Sequence, residues 1–274
     1  MAELALTLLS ENNAVPPFEP EHGLSIFLQY HEKQFLFDTG SSKRFLENAG
    51  KMGIDLTTAE GVILSHGHYD HTGGLQELAP QKIWYAPGIS KVRYSRHPGK
   101  PVKELTMPPD GQKILKQYQA SEIKTFTEIS PGVFLTGPIP RESGEDCGGP
   151  FFLDPEGNEK DLITEEQALL LKEGILIQGC CHAGIINSME YCRKQRPDIK
   201  IHTIIGGLHL LLANDQRILQ TAEYLRNAEI KTLFLLHCTG QNAIELLKKE
   251  LPETKILTPG VDGIPLQITQ ENAV

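Results

Sequence analysis

The chain has 274 residues, 39% hydrophobic and 22% charged, a composition that builds a folded core and argues against disorder. Its 35 acidic and 26 basic residues leave a net charge of -9, a surface that repels phosphate backbones and disfavours nucleic acid as a partner. No apolar run reaches the ~18 residues of a membrane span, Met1–Leu9 carries Glu3 and lacks the basic start of a signal peptide, and five cysteines do not form a disulfide framework. A reduced, cytoplasmic protein without a membrane partner is expected.

The stretches Leu4–Leu9, Leu24–Tyr30 and Gln34–Phe37 read as strands, the last two joined by a tight turn near His31–Lys33. Ser41–Gly50 reads as a helix with Ser at its start and Gly at its end. Gly61–Leu64 is a short buried strand that runs into a histidine cluster, and Lys82–Tyr85 is another strand. Ile123–Ile129 and Val133–Thr136 predict a strand pair split by Pro131–Gly132. Phe151–Leu153 and Lys160–Thr164 flank the turn signal Asp154-Pro155-Glu156-Gly157-Asn158. Gly174–Ile177, His202–Ile205 and Lys231–Leu236 are strands alternating with helices at Ile185–Arg196, Asp215–Asn227 and Gln241–Glu250. Strands at Lys255–Leu257 and Ile264–Ile268 close the chain. Early hairpins predict antiparallel pairing and the later alternation predicts parallel pairing. The expected architecture is one layered α/β domain over residues 1–274, with two packed mixed sheets and helices outside.

Ser65-His66-Gly67-His68-Tyr69-Asp70-His71 places four metal-ligand side chains within six residues, directly after a buried strand. Imidazole and carboxylate suit zinc, iron or manganese, with bonds of ~2.0–2.2 Å for zinc. Gly67, Gly73 and Gly74 allow the tight bend such a loop needs. Three further histidines sit at strand ends beside small residues: His182 after Gly179-Cys180-Cys181, His209 after Gly206-Gly207-Leu208, and His237 before Cys238-Thr239-Gly240. Ligands gather at such carboxyl ends in α/β proteins. His31, His97 and His202 lack this setting and read as ordinary residues; His22 is retained as a substrate-binding candidate at the pocket rim.

The run His66-x-His68-x-Asp70-His71, with Phe37-Asp38-Thr39-Gly40 before it and Gly179-Cys180-Cys181-His182 and His237 after it, resembles the signature of the metallo-β-lactamase-fold superfamily. The resemblance implies an αββα sandwich. His66, His68 and His182 would hold a first metal, and Asp70, His71 and His237 a second. Asp38 would hold the loop by hydrogen bonds. The expected cofactor is one or two divalent ions, zinc first, with manganese, iron or magnesium as alternatives. The family usually adds a bridging acid where this chain reads Gly206-Gly207-Leu208-His209, which leaves His209 as a substitute ligand or as a catalytic acid/base beside Asp70.

Ser10-Glu11-Asn12-Asn13, Glu21-His22-Gly23-Leu24-Ser25 and the glycine-flanked histidine motifs together look like the branch that contains the archaeal dihydropterin-methyl ribofuranosylaminobenzene phosphate synthases. That likeness implies C–N bond formation with loss of pyrophosphate. A metal-dependent hydrolase of a phosphoester, ester or lactone uses the same ligands, and so does a non-catalytic metal-binding protein.

Lys91–Lys116 carries seven basic residues against Glu104 and Asp110 within an insertion at about 88–118 that reads as a lid or a solvated loop. Arg93 and Arg96 are its candidate contacts to a phosphorylated small-molecule substrate. Cys180, Cys181 and Cys238 adjoin ligand candidates and read as small packing residues, with a soft metal ligand as the alternative. Cys147, in Asp146-Cys147-Gly148-Gly149, is expected to be exposed. Self-association is left open.

Overall fold

The computed structural model describes residues 4–79, 81–145 and 149–268; Cys147 lies outside them. The chain forms two compact units. Among the described residues, the first comprises 4–122, 150–165 and 260–268, and the second 123–149 and 166–259.

In the first unit, apolar and aromatic runs such as Ser25–Tyr30 and Lys33–Phe37 pair as a hairpin, with His31 in left-handed backbone at φ 53° between them. The seven-stranded sheet runs, in spatial order, Leu266–Gln267, Leu4–Ser10, Ser25–Tyr30, Lys33–Phe37, Gly61–Ile63, Lys82–Tyr85 and Gln119–Glu122. The first four pair antiparallel and the last three join in parallel. The helix Arg44–Met52 buries Phe45 and Ala49, four residues apart, in a core with Leu9, Phe27, Leu36 and Val62.

The second unit repeats that division. Its sheet runs Lys255–Leu257, Thr232–Leu235, Thr203–Gly206, Ile175–Ile177, Leu169–Leu171, Val133–Leu135 and Thr127–Ser130. The first four are mutually parallel and the rest antiparallel. Helices Ile185–Gln195, Asp215–Asn227 and Gln241–Glu250 follow three of the strands. The first buries Ile185, Met189 and Cys192 at helical spacing, and Asn214 caps the second by accepting from the Arg217 N–H at 2.9 Å. Each unit is a mixed sheet carrying helices, the α/β class expected from the sequence.

Three local expectations change. The stretch expected as one strand, Ile123–Ile129, is strand only from Thr127, within Thr127–Ser130 of the second sheet; Gln119–Glu122, just before the expected stretch, is an unexpected strand of the first sheet. Leu169–Leu171 is a strand without an advance signal, because a three-residue apolar run carries no periodicity. The basic insertion carries secondary structure of its own. Tyr94–Ser95 pairs with Lys103–Glu104 and with Phe151–Phe152 in a small antiparallel sheet, and Pro109–Gln117 is a helix started by its proline. Phe151–Leu153 therefore pairs with the insertion, and Lys160 meets Phe152 in only a single bridge. Among the described residues no helix is long and apolar enough to cross a membrane.

Candidate metal centre

The strand Gly61–Ile63 delivers the loop Ser65–His71 to the carboxyl edge of the first sheet, and the last of these residues form a single helical turn, Tyr69–Thr72. His66, His68, Asp70 and His71 are all buried. The rings of His66 and His68 lie 4.6 Å apart, and those of His66 and His71 4.3 Å. Gly67 is required here, because a Cβ would come 2.0 Å from the Ile89 carbonyl oxygen.

Asp38 organises this cluster. It is fully buried, in left-handed backbone at φ 57°. Its Oδ1 accepts the Ser65 backbone N–H at 2.7 Å, and its Oδ2 accepts the Ser65 hydroxyl at 2.7 Å and pairs with His71 Nδ1 at 2.6 Å. With its one proton given to Asp38, the Ser65 Oγ becomes the acceptor for His66 Nδ1 at 2.9 Å. Both His66 and His71 then carry their proton on Nδ1 and present Nε2 as a lone pair, the form a metal ligand needs. Burial, reinforced by the neighbouring His71 and His68, holds His66 well below the usual histidine range, so it is neutral at pH 7. The adjoining turn is tied in by Thr39, whose N–H and hydroxyl both donate to the His71 carbonyl at 2.8 and 3.1 Å. Asp70 pairs with His22 Nε2 at 3.1 Å, and the His22 side chain is 61% exposed, a rim position.

A second brace was not anticipated. Arg93 is wholly buried, with its Nε 3.3 Å from Asp161 Oδ2 and its Nη1 bonded to Glu165 Oε1, which also accepts the Gly67 N–H at 3.3 Å. The expected phosphate contact at Arg93 is thereby corrected: its charge faces two carboxylates inside the protein and is withheld from the surface. Arg96 is exposed. The same segment pairs with the metal loop itself, since Tyr69 N–H donates to Leu105 at 2.9 Å and His68 bridges to Thr106.

In the second unit the candidates sit at the ends of parallel strands. After Ile175–Ile177 come Cys180, Cys181 in left-handed backbone at φ 63°, and His182. After Thr203–Gly206 comes His209 at φ 49°, and after Thr232–Leu235 comes His237 at φ 48°. The His182 and His209 rings lie 4.3 Å apart. Glu166 braces this set: its two oxygens accept the His182 and Ala183 N–H groups at 2.7 and 2.6 Å. Burial pushes the Glu166 carboxyl up to about 7, against those two bonds, which favour its charged form. The only sequence signal for either brace was a pair of adjacent acids, Glu165-Glu166, before an apolar run.

The glycine pair Gly206-Gly207 has no room for an acid. A Cβ at Gly206, where φ is 127°, would come 2.0 Å from the Gln178 carbonyl oxygen. At Gly207 it would come 2.4 Å from Cys238 Sγ and 2.8 Å from the Gly179 carbonyl oxygen. In donor chemistry the residues suit a divalent ion: crowded neutral imidazole with the second ring nitrogen fixed by an acceptor, plus a carboxylate.

The Metallo-beta-lactamase superfamily profile matches residues 19–164, more than half of the chain. The chain belongs to the metallo-β-lactamase superfamily. The crystal structure of Tm1679, a metal-dependent hydrolase of the beta-lactamase superfamily, is 32% identical and superposes with a TM-score of 0.84 over 97% of this chain and 99% of that one. Two proteins of Methanocaldococcus jannaschii are similar along most of their length. One, uncharacterized, is 27% identical over 89% of this chain and 94% of its own. The other, 7,8-dihydropterin-6-methyl-4-(beta-D-ribofuranosyl)-aminobenzene-5'-phosphate synthase, is 28% identical over 86% of this chain and 87% of its own. A diphosphatase from the PhnP family shares the fold, at 15% identity and a TM-score of 0.54.

Proposed function

We propose that this protein is a metal-dependent enzyme that joins an aromatic amine to a pterin methyl carbon with loss of pyrophosphate. The observation that carries this reading is the 28% identity to the synthase across 86% of the chain. His66, His68 and His182 would hold one ion, with Asp70, His71 and His237 as donors for a second, zinc being the first expectation. When bound, the ions supply positive charge to the departing pyrophosphate, or an activated water if the reaction is hydrolysis.

The chain's own residues supply orientation and proton transfer. Asp38 and Ser65 fix the ring faces of His66 and His71. In the transfer, the amine nitrogen forms a bond to the methyl carbon as the carbon–oxygen bond to pyrophosphate breaks, and the amine gives up one proton. His22 is the base for that proton. It is paired to Asp70 through Nε2 at 3.1 Å, and its exposure lets the proton pass to solvent. Arg96 and the exposed lysines of its segment carry surface charge suited to a substrate phosphate.

The hydrolase reading keeps a specific observation of its own, the 32% identity to a metal-dependent hydrolase. The two are separated by one assay. Supplied with dihydropterin-methyl pyrophosphate, the ribofuranosylaminobenzene phosphate and a divalent ion, the protein should release pyrophosphate only when the amine is present and form the coupled product. Pyrophosphate release independent of amine, or turnover of generic phosphodiesters or lactones alone, would establish the hydrolase instead.

A further inference from the structure

The glycine pair leaves no room for a carboxylate at Gly206 or Gly207, and the same strand ends bring in sulfur. Cys180, His182 and His209 offer ligand atoms that all lie within 4.8 Å of one another. Ligands of a tetrahedral zinc with bonds of ~2.0–2.3 Å stand roughly 3.5 Å apart, so a small inward shift closes this set around one ion. The placement follows from the backbone. Cys180 and His182 flank the left-handed Cys181 after Ile175–Ile177, and His209 follows the parallel neighbour strand Thr203–Gly206. The Gly207 N–H donates to the Gly179 carbonyl at 2.9 Å and ties the two loops together. Cys180 and His182 are buried and His209 is half-buried, so the three donors sit where water competes poorly.

The geometry points to Cys180 and His209 as metal ligands acting with His182, a sulfur-containing donor set that selects zinc, iron(II) or cobalt(II) over magnesium and manganese. This rests on the reading of His182 as a metal ligand. Two of the other thiols have different surroundings. Cys181 is in the apolar core of its unit and burial pushes the Cys192 thiol up to about 12, whereas Cys238 adjoins the set, donating to the Cys180 carbonyl at 3.3 Å and lying against the Cys180 and His209 side chains. Binding converts the Cys180 thiol to a thiolate, and its proton leaves to solvent. Thiolate is a soft donor, which sets the preference for the borderline ions.

Cobalt(II) alone is the probe. Metal-stripped protein titrated with cobalt should develop a thiolate-to-cobalt charge-transfer band that saturates with binding. Cys180→Ser and Cys180→Ala should lose the band while still binding cobalt through histidine, with affinity weakened at least ~10-fold. His209→Gln should keep the band and weaken affinity. Cys181→Ser should keep both, and far-ultraviolet circular dichroism identifies any variant that has not folded. Cobalt binding without a charge-transfer band, or a band that survives in both Cys180 variants, would overturn the inference and leave the proposed function standing. Absence of any cobalt binding would overturn both.

Discussion

His66 and His71 are held through their side chains, by Asp38 and by the Ser65 hydroxyl, whereas His182 is held through its backbone, by Glu166. The difference follows from the local chain. The loop Ser65–His71 keeps its donors in ordinary backbone, so what remains to be fixed is the ring, and a carboxylate at Nδ1 fixes it. At the strand ends of the second unit the backbone is left-handed at Cys181, His209 and His237, conformations that cost of order 1–3 kcal/mol each. There the backbone itself must be held, and the two amide bonds to Glu166 hold it at His182. Consecutive residues thus brace different donor sets: Glu165 takes the Gly67 amide, and Glu166 takes those of His182 and Ala183.

The largest effect that can break this comparison is loss of a donor. The His68→Ala variant should lose both its bound metal and its turnover, read by elemental analysis and by product formation; retention of either contradicts the ligand assignment. Next is the buried brace. Arg93→Met leaves Asp161 and Glu165 buried without their cation and should destabilise the fold by about 3–5 kcal/mol in urea unfolding. Adding Asp161→Asn and Glu165→Gln should recover part of that loss. An Arg93→Met protein as stable as wild type would show that the pairing contributes nothing. Asp38→Asn keeps the shape but removes the charge and one acceptor, and metal affinity should fall ~10–100-fold in a competition titration against a chelator. Unchanged affinity would mean that the side-chain grip on His66 and His71 is dispensable. The smallest effect is expected at exposed Arg96, where Arg96→Ala should change stability by no more than ~0.5 kcal/mol and raise KM for a phosphorylated substrate without lowering kcat.

What the sequence made legible was local. Four ligand types within six residues after a buried strand announce themselves, and a histidine beside glycines at a strand end does so more weakly. Asp38 was legible only through resemblance, because its partners Ser65 and His71 are 27 and 33 residues away. Glu165 and Glu166 escaped for the same reason, reaching Gly67 across 98 residues and His182 across 16. Arg93 was misread because charge counting along a segment treats every basic side chain as solvent-facing, and this one is answered by carboxylates 68 and 72 positions on. The glycine pair was legible as a missing acid, but only the 2.0 Å approach of the Gln178 carbonyl shows that an acid there could not be accommodated.

Metal dependence of turnover is the most direct test of the proposed chemistry. Coupled-product formation from the pterin pyrophosphate and the aromatic amine should vanish when the protein is stripped with a chelator and return when stoichiometric zinc or cobalt is restored. Undiminished product formation by the stripped protein, verified metal-free by elemental analysis, would contradict the account.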